Sequence, residues 1–340
     1  MTPRKLLRSR FALPIAAALI TTCCLQPVSV AQTDADAPAR AQWRAAVAED
    51  ADLGEGCFQT SYPSLDWQQV ECKVLHPRVH PVVRKPGEGL LAGNGRDFVA
   101  ESSGLTTHAV GSFPTVTGVK SEKSVGVAEY GGGGILGANE YSLQLNTNFN
   151  RTTAACHGRS GCVVWQQFIY ATDYAVEGEA AVFMQYWLIG WGSLTCPKGF
   201  YTDLEGDCYG NSNYVSAPNV KPASLASLSL SGSAQANGKD TVVFTDGTTA
   251  YRINGADTVL DISQVWKESE FNVVGDAGGS RANFNQPVSI TLKLALTDNT
   301  TAAPTCVANA GTTGESNNLT LGKCTTASGT SPSIRFTESN

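Results

Sequence analysis

The spacing of the cysteines is the feature that most constrains the fold. Of ten cysteines, two lie in the first 31 residues and the other eight fall into four close pairs. Each pair is separated by a short polar or glycine-rich segment, which favours bonds within the pairs over the many other connectivities. The predicted disulfides are Cys57–Cys72, Cys156–Cys162, Cys196–Cys208 and Cys306–Cys324. We expect all four to tie local loops rather than join distant strands, so that strand packing holds the core together.

The N-terminus has the pattern of an export signal. A basic start is followed by an apolar run over 11–20, which is too short to span a bilayer. Ser29 and Ala31 are small residues three positions and one position before a plausible cleavage point. Residues 1–31 are therefore predicted to be removed, and the mature chain to begin near Gln32. With its even number of remaining cysteines, the mature chain is expected to be secreted, either extracellular or periplasmic.

Removal of this segment makes the chain distinctly acidic. The segment holds four of the 24 basic residues and none of the 30 acidic ones, so the net charge moves from −6 to −10. A chain without a basic stripe does not neutralise phosphates, which argues against nucleic acid as a partner. Binding to a membrane surface is disfavoured for the same reason.

The mature chain divides into an N-terminal extension and one large β domain. Residues 36–50 are rich in alanine and contain no glycine, which predicts a short helix. Together with the first disulfide loop, this helix belongs to a predicted extension over 32–95. From about Asp97 onward, short runs rich in β-branched and aromatic residues alternate with turn residues. That pattern predicts an all-β sandwich over 96–340.

Several segments indicate how the strands of this domain are arranged. Residues 141–148 alternate apolar and polar side chains, as in a strand with one buried face and one polar face. Residues 163–170 and 181–189 are apolar on both faces, as in central strands between two layers. Asp246 and Gly247 lie between two β-prone runs and predict a hairpin.

The sequence lacks the motifs of several common catalytic and cofactor sites. Its histidines lie outside any catalytic motif, no nucleophile elbow or phosphate loop occurs, and no Cys-x-x-Cys motif indicates a metal. We therefore predict neither a cofactor nor a metal. Asp203, Glu205 and Asp207 stand at alternate positions and could supply oxygen ligands to calcium, although a solvated acidic loop is the simpler interpretation.

Polar side chains on otherwise buried strands are the remaining functional candidates. They are Gln144, Gln166, Gln167, Gln185 and Glu270. Glu270 shares its strand face with Asn272, while Phe271 and Val273 point the other way. A sheet face that carries such groups can line a cleft, whereas an edge strand would leave the carboxylate of Glu270 in water.

Five segments resemble the glutamic peptidases of the scytalidoglutamic, or eqolisin, family. They are Leu143-Gln-Leu-Asn-Thr-Asn-Phe149, Trp165-Gln-Gln-Phe-Ile-Tyr170, Ser269-Glu-Phe-Asn-Val-Val-Gly-Asp276, Arg281-Ala-Asn-Phe-Asn285 and Val288-Ser-Ile-Thr-Leu292. Their order along the chain is that of the family, and together these short segments cover about half of the mature domain, in pieces.

The resemblance implies a concanavalin-like or lectin-like double sheet whose concave face carries a catalytic pair. Glu270 corresponds to the family's catalytic glutamate and Gln144 to its catalytic glutamine. In the family's scheme the glutamate acts as a general base on water and then as an acid toward the leaving amine, while the glutamine donates to the oxyanion. The residues expected to line the cleft are Asn146, Trp165, Gln167, Gln185 and Asn272. The implied protein is an acid-acting endopeptidase with a polypeptide substrate.

Two other kinds of function stay open at this point. A lectin-like module without catalysis would hold an extracellular glycan or a peptide on exposed aromatic rings. The rings available are Trp187, Trp191, Tyr209 and Tyr214, although Trp187 lies on a strand predicted to be in the core. A structural or interaction component would show a large apolar patch and no cleft. In each case we expect a monomer.

Overall fold

The computed structural model describes residues 36–49, 53–76, 97–128, 132–148, 150–203, 205–310 and 315–340. The predicted signal segment 1–31 and the predicted boundary between 95 and 96 lie outside these residues, so both stay predictions. From Ala37 to Asn340 the chain forms one compact unit. Within the described residues, no helix combines the length and the apolarity that a membrane crossing requires.

Strands dominate the chain, as predicted, and one α-helix precedes them. In chain order the elements are α1 (Ala37–Ala48), β1 (Gly56–Ser61), β2 (Gln68–Val70), β3 (Asp97–Glu101), β4 (His108–Thr117), β5 (Glu122–Gly126), β6 (Gly137–Ala138), β7 (Ser142–Thr147), β8 (Val163–Val176), β9 (Glu179–Ile189), β10 (Tyr201–Thr202), β11 (Cys208–Asn211), β12 (Val215–Ala217), β13 (Ser229–Ala234), β14 (Lys239–Thr245), β15 (Thr249–Ala256), β16 (Glu268–Val274), β17 (Ser280–Phe284), β18 (Ser289–Thr297), β19 (Thr305–Ala310), β20 (Ser316–Asn317), β21 (Thr320–Ala327) and β22 (Ser333–Ser339). Short 3-10 helices cover Ala154–Cys156, Pro222–Ser227, Asp257–Val259 and Ile262–Gln264. The helix predicted over 36–50 is confirmed as α1.

The strands form two large sheets and one small sheet. Sheet 1 has the spatial order β2-β1-β15-β14-β13-β4-β18-β22-β21. Sheet 2 has the order β10-β11-β9-β8-β7-β16-β3-β19, with β12 beside β9, and sheet 3 has the order β20-β17-β5-β6. The described strands of the two large sheets pair in the antiparallel sense. The predicted all-β sandwich is confirmed.

The main apolar core lies between sheets 1 and 2. Alternate residues of β7, β8, β9 and β16 point toward sheet 1 and meet residues of β4, β13 and β14. Tyr170 stacks on Phe244 with ring centroids 3.9 Å apart, and Phe113 meets Phe271 at 5.2 Å. Large rings dominate the energetics of such a core because each buries much apolar surface. The central strands predicted from the apolar segments are confirmed, since β8 and β9 lie inside sheet 2.

A glycine of sheet 1 lets an aromatic ring of sheet 2 approach its backbone closely. A Cβ atom at Gly111 on β4 would lie 2.1 Å from the ring of Phe271. Glycine lacks this atom, so the ring packs there without overlap. Because Phe271 directly follows Glu270 on β16, the contact helps to fix the strand that carries the predicted catalytic carboxylate.

All four predicted disulfides are present. The first three connect residues 15, 6 and 12 positions apart and close local loops, as expected. The fourth joins Cys306 on β19 to Cys324 on β21. Since β19 lies at the edge of sheet 2 and β21 at the edge of sheet 1, the expectation that every bond would be local is wrong for this one. The short separation in sequence conceals it because the chain crosses between the layers there.

The described part of the predicted N-terminal extension contributes directly to sheet 1. β1 pairs with β15 along its full length, and β2 pairs with β1. Trp43 and Val47 of α1 pack against Val243 and Ala250 of the same sheet. The helix and the first disulfide loop are therefore continuous with sheet 1.

Two local predictions are also confirmed. β14 and β15 form an antiparallel hairpin around Asp246 and Gly247, and Gly247 adopts a φ of 106°, a value that glycine readily accepts. In β7, Leu143 and Leu145 belong to the core between the sheets, as the alternation predicted. The polar residues of β7 are buried as well, so its second face is covered rather than solvated.

Candidate functional site

A row of polar side chains crosses five strands of sheet 2. Residues directly opposite each other in antiparallel strands share a face of the sheet. The register places in succession Asn211 opposite Gln185, Gln185 opposite Gln167, Gln167 opposite Asn146, and Asn146 opposite Glu270. Four of the predicted site residues, taken from four separate strands, are thus side by side.

The remaining predicted site residues lie on the same face of the sheet. Gln144 and Asn272 are opposite each other, two positions along their strands from Asn146 and Glu270. On the other side of the row, Trp165 is opposite Trp187. We name this surface the polar face, defined by Gln144, Asn146, Gln167, Gln185, Glu270 and Asn272. Gln166 is the exception among the sequence candidates, because alternation places it on the inner face of β8.

Amide side chains connect Gln144 to Glu270. The Nε2 atom of Gln167 donates to Oε1 of Gln144 and to Oδ1 of Asn146, both at 3.1 Å. The Nδ2 atom of Asn146 in turn donates to Oε2 of Glu270 at 3.0 Å. Gln144 donates from its own Nε2 to the hydroxyl of Ser142 at 3.1 Å. Because a primary amide has two N–H groups, that bond uses one of the two donors of Gln144.

Trp187 holds the other end of the amide row. Its indole N–H donates to Oε1 of Gln185 at 2.8 Å and to Oε1 of Gln167 at 3.3 Å. Gln185 donates onward from Nε2 to Oδ1 of Asn211 at 2.9 Å. The amide donors therefore run outward from Trp187, toward Asn211 on one side and toward Glu270 on the other.

Asp97 is a second carboxyl beside Glu270, and sequence reasoning did not identify it. β3 pairs with β16 so that Val99 is opposite Glu270, and Asp97 lies two positions away on the same face. The side chains of Asp97 and Glu270 are hydrogen-bonded to each other. Burial and then the charge of Glu270 raise the pKa of Asp97 well above its ordinary value. Two carboxyls in contact repel each other when both are ionised.

Asn272 connects Asp97 to a third carboxyl, that of Glu338 on β22. Its Nδ2 atom donates to Oδ2 of Asp97 at 2.6 Å and to Oε1 of Glu338 at 2.9 Å. Asn317 donates from Nδ2 to the other oxygen of Glu338 at 3.0 Å. Burial and then the charge of Asp97 raise the pKa of Glu338 to about 8. Glu338 is therefore neutral in acid.

The polar face is closed in the conformation described. Gln144, Asn146, Gln167 and Glu270 are each 1% exposed. The interpretation of Glu270 as an edge carboxylate in water is wrong, because β16 lies between β7 and β3. Buried polar groups of this kind are retained when they are hydrogen-bonded, and the network meets that condition.

Two of the residues that sequence reasoning missed had a weak signal. Every second residue of β22 points to the same face. Ile334 and Phe336 on that face are core residues, so Glu338 points inward with them. Asp97 begins a strand that is otherwise apolar until Glu101. Neither pattern indicates which other carboxyl lies beside it, because that depends on the order of strands in the sheet.

The aromatic rings considered as platforms for a ligand are buried. Trp187, Trp191, Tyr209 and Tyr214 are 0%, 5%, 4% and 2% exposed. The prediction that Trp187 belongs to the core is confirmed. None of these four rings presents a free face on which a sugar or a peptide could stack.

The acidic loop considered for calcium uses its carboxylates on backbone groups. Oδ1 of Asp203 accepts from the N–H groups of Glu205 and Asp207 at 2.8 and 2.9 Å. Oδ1 of Asp207 accepts from the N–H of Gly190 at 2.6 Å. Among the described residues, no group of three or more histidine, cysteine, aspartate or glutamate side chains could hold a metal ion. These carboxylates stabilise the loop.

Comparison with known proteins shows a remote structural similarity. No family model matches the chain, and no curated protein matches it. A scytalido-glutamic peptidase bound to a transition-state analogue inhibitor is 10% identical, with a TM-score of 0.27 over 72% of this chain and 98% of the peptidase. SCP-B, a member of the eqolisin family of peptidases bound to the tripeptide Ala-Ile-His, is 12% identical, with the same TM-score over 73% and 98%. The similarity is too remote for the activity of those proteins to follow from it.

Proposed function

We propose that this chain is a secreted, acid-acting endopeptidase in which Glu270 and Gln144 form the catalytic pair. The observation that carries the proposal is their placement on one face of the adjacent strands β16 and β7, linked through the side chains of Asn146 and Gln167. A carboxylate beside an aligned amide donor provides both a base and an oxyanion ligand.

The pair supports hydrolysis in two steps. Glu270 takes a proton from a water molecule as the water oxygen bonds to the carbonyl carbon of the peptide. Negative charge then develops on the carbonyl oxygen, to which the second N–H of Gln144 donates. Glu270 returns the proton to the amide nitrogen as the carbon–nitrogen bond breaks, which releases a carboxylic acid and an amine.

Acid conditions suit this arrangement. Glu270 must be ionised to act as the base, while the buried Asp97 and Glu338 beside it favour their neutral forms. The amide donors around Glu270 stabilise its carboxylate without adding a positive charge. The cluster thus accumulates repulsion as the pH rises.

An oxidising location agrees with the proposal. The four disulfides are typical of proteins outside the cytoplasm. We propose secretion to the cell exterior or the periplasm, action on polypeptides as a monomer, and no cofactor. Because the polar face is closed, we also propose that an open conformation binds the substrate.

The test is an assay of peptide release from a denatured protein between pH 2 and pH 7, analysed by mass spectrometry. The wild-type chain is compared with Glu270→Gln, which keeps the shape of the side chain and removes the base. We expect cleavage in acid by the wild type and its loss in the variant, by several orders of magnitude for an essential general base that also acts as the acid.

Glu122→Gln is the matched control. Glu122 on β5 is also a buried glutamate, 2% exposed, and burial raises its pKa to about 9. It is therefore neutral in acid, and its replacement by glutamine should leave cleavage unchanged. Absence of peptide release by the wild type at every pH, or equal cleavage by Glu270→Gln, would contradict the proposal.

A further inference from the structure

We propose that Asp97 is a positioning residue that shares one proton with Glu270, so that the working unit of the site is a pair of carboxyls rather than a lone glutamate. The inference rests on the proposed function of Glu270. It assigns Asp97 a role that follows from the order of strands, in which β3 lies directly beside β16.

The hydrogen bonds of Asp97 orient it toward Glu270. Its Oδ1 accepts from the backbone N–H of Phe98 at 3.0 Å, and its Oδ2 accepts from Nδ2 of Asn272 at 2.6 Å. Oε2 of Glu270 accepts from Asn146, and the Asp97 and Glu270 side chains bond to each other. Two carboxyl groups form such a bond only when one of them carries a proton, because a carboxylate has no donor.

The groups that face Asp97 come from three strands. Glu270 and Asn272 reach it from β16, and Glu338 of β22 shares the Nδ2 group of Asn272 with it. The third is its own strand, β3, from which the N–H of Phe98 donates. The titratable members of this set are acids, so a proton is the available source of positive charge for the pair. Asp97 is fully buried, at 0% exposure, which raises the cost of a second negative charge further.

The shared proton gives Asp97 two effects on the reaction. While Asp97 holds the proton, it donates to the carboxylate of Glu270 and fixes the oxygen that faces the substrate. Loss of this proton places two negative charges side by side, which disturbs the geometry of the base. The pair therefore works between two ionisations, the first creating the carboxylate of Glu270 and the second removing the proton of Asp97.

The experiment compares the wild-type chain with Asp97→Asn, using the rate of peptide release from a denatured protein across pH 2 to pH 8. The wild type should show a bell-shaped profile with two ionisations. In Asp97→Asn the alkaline limb should disappear or move upward by about 1–3 pH units, the size of shift that a neighbouring charge produces. Asp240→Asn, which alters a buried aspartate on β14, should keep both limbs.

Urea unfolding provides a second arm that does not depend on activity. The wild type, Asp97→Asn, Glu270→Gln and the double variant form a double-mutant cycle, measured at pH 4 and pH 8. A shared proton makes the coupling between positions 97 and 270 change with pH. A coupling that is the same at both pH values overturns the inference, and so does an active Asp97→Asn that keeps both limbs. If the wild type cleaves nothing, the proposed function fails, while the unfolding cycle still decides whether the proton is shared.

Discussion

Gln166 and Gln167 are consecutive residues of β8, yet each faces a different pair of buried carboxyls. Gln167 points to the polar face, where Asn146 connects it to Glu270 and Asp97. Gln166 points inward, where its Nε2 atom donates to Sδ of Met184 at 3.8 Å and its amide favours the ionised form of Asp240 of sheet 1. Burial and then the charge of Asp257 raise the pKa of Asp240 well above its ordinary value.

We call Asp240 and Asp257 the inner pair, and Glu270 and Asp97 the outer pair. The groups that surround these two pairs differ. The carboxylate of Asp257 accepts from the N–H of Ser263 at 3.1 Å and from its hydroxyl at 2.7 Å, so the inner pair fastens a short 3-10 turn to sheet 1. The outer pair is held by side-chain amides that lie in a row across the strands. A buried carboxyl pair is thus an element of structure by default. In the proposed function, the amide donor of Gln144 beside the outer pair is what adds catalysis to it.

The largest expected effect is a difference in kcat between replacing Gln144, near the outer pair, and replacing Gln166, near the inner pair. Gln144→Ala removes the proposed oxyanion donor and should lower kcat by about 10²- to 10³-fold, as for other single donors. Gln166→Ala removes an amide from the inner pair and should leave kcat unchanged in the folded protein. Initial rates of peptide release in acid, measured together with circular dichroism to verify folding, test both. A fall in kcat as large for Gln166→Ala as for Gln144→Ala would contradict the assignment of catalysis to the outer pair alone.

A smaller effect, on the free energy of unfolding, is expected at two glycines near the carboxyl pairs, Gly111 and Gly255. A Cβ atom at Gly111 would overlap the rigid ring of Phe271, next to Glu270, whereas one at Gly255, opposite Asp240, would lie 3.0 Å from Cε of Met184. Overpacking typically costs about 1–3 kcal/mol, and flexible ends of side chains relieve it. Gly111→Ala should therefore destabilise the protein more than Gly255→Ala.

Urea unfolding of the two alanine variants at one pH measures this difference. The expected loss of unfolding free energy lies within about 1–3 kcal/mol for Gly111→Ala and below that range for Gly255→Ala. Equal losses would show that the ring of Phe271 moves as freely as the end of Met184, and that the outer pair has no firmer support than the inner one.

Features that depend on neighbours in sequence could be predicted. Close cysteine spacing predicted the four disulfides, and the alternation around Gln144 and Glu270 placed both on the polar side of their strands. The hairpin at Asp246 followed from turn chemistry. These signals are local because they arise from the period of the strand and from the conformations that turn residues accept.

Features that depend on the order of strands could not be predicted. Asp97 lies beside Glu270 because β3 pairs with β16, which is distant along the chain, and Glu338 arrives from the other sheet. The cross-link between the sheets through Cys306 was missed for the same reason. Burial of the polar face was missed as well, since alternation predicts which side chains share a face but not what covers it.

The smallest expected effect is the pH dependence of stability that the inner pair confers. Because the pKa of Asp240 is raised in the folded state, its contribution to stability is complete below the unfolded pKa near 3.8 and is lost as the pH rises through the folded pKa. Asp240→Asn cannot ionise, so its unfolding free energy relative to the wild type should increase between pH 5 and pH 6, by up to about 1.4 kcal/mol. Urea titrations at the two pH values measure the change. A difference that does not grow with pH would mean that the inner pair carries no proton, and that only the pair at Glu270 does.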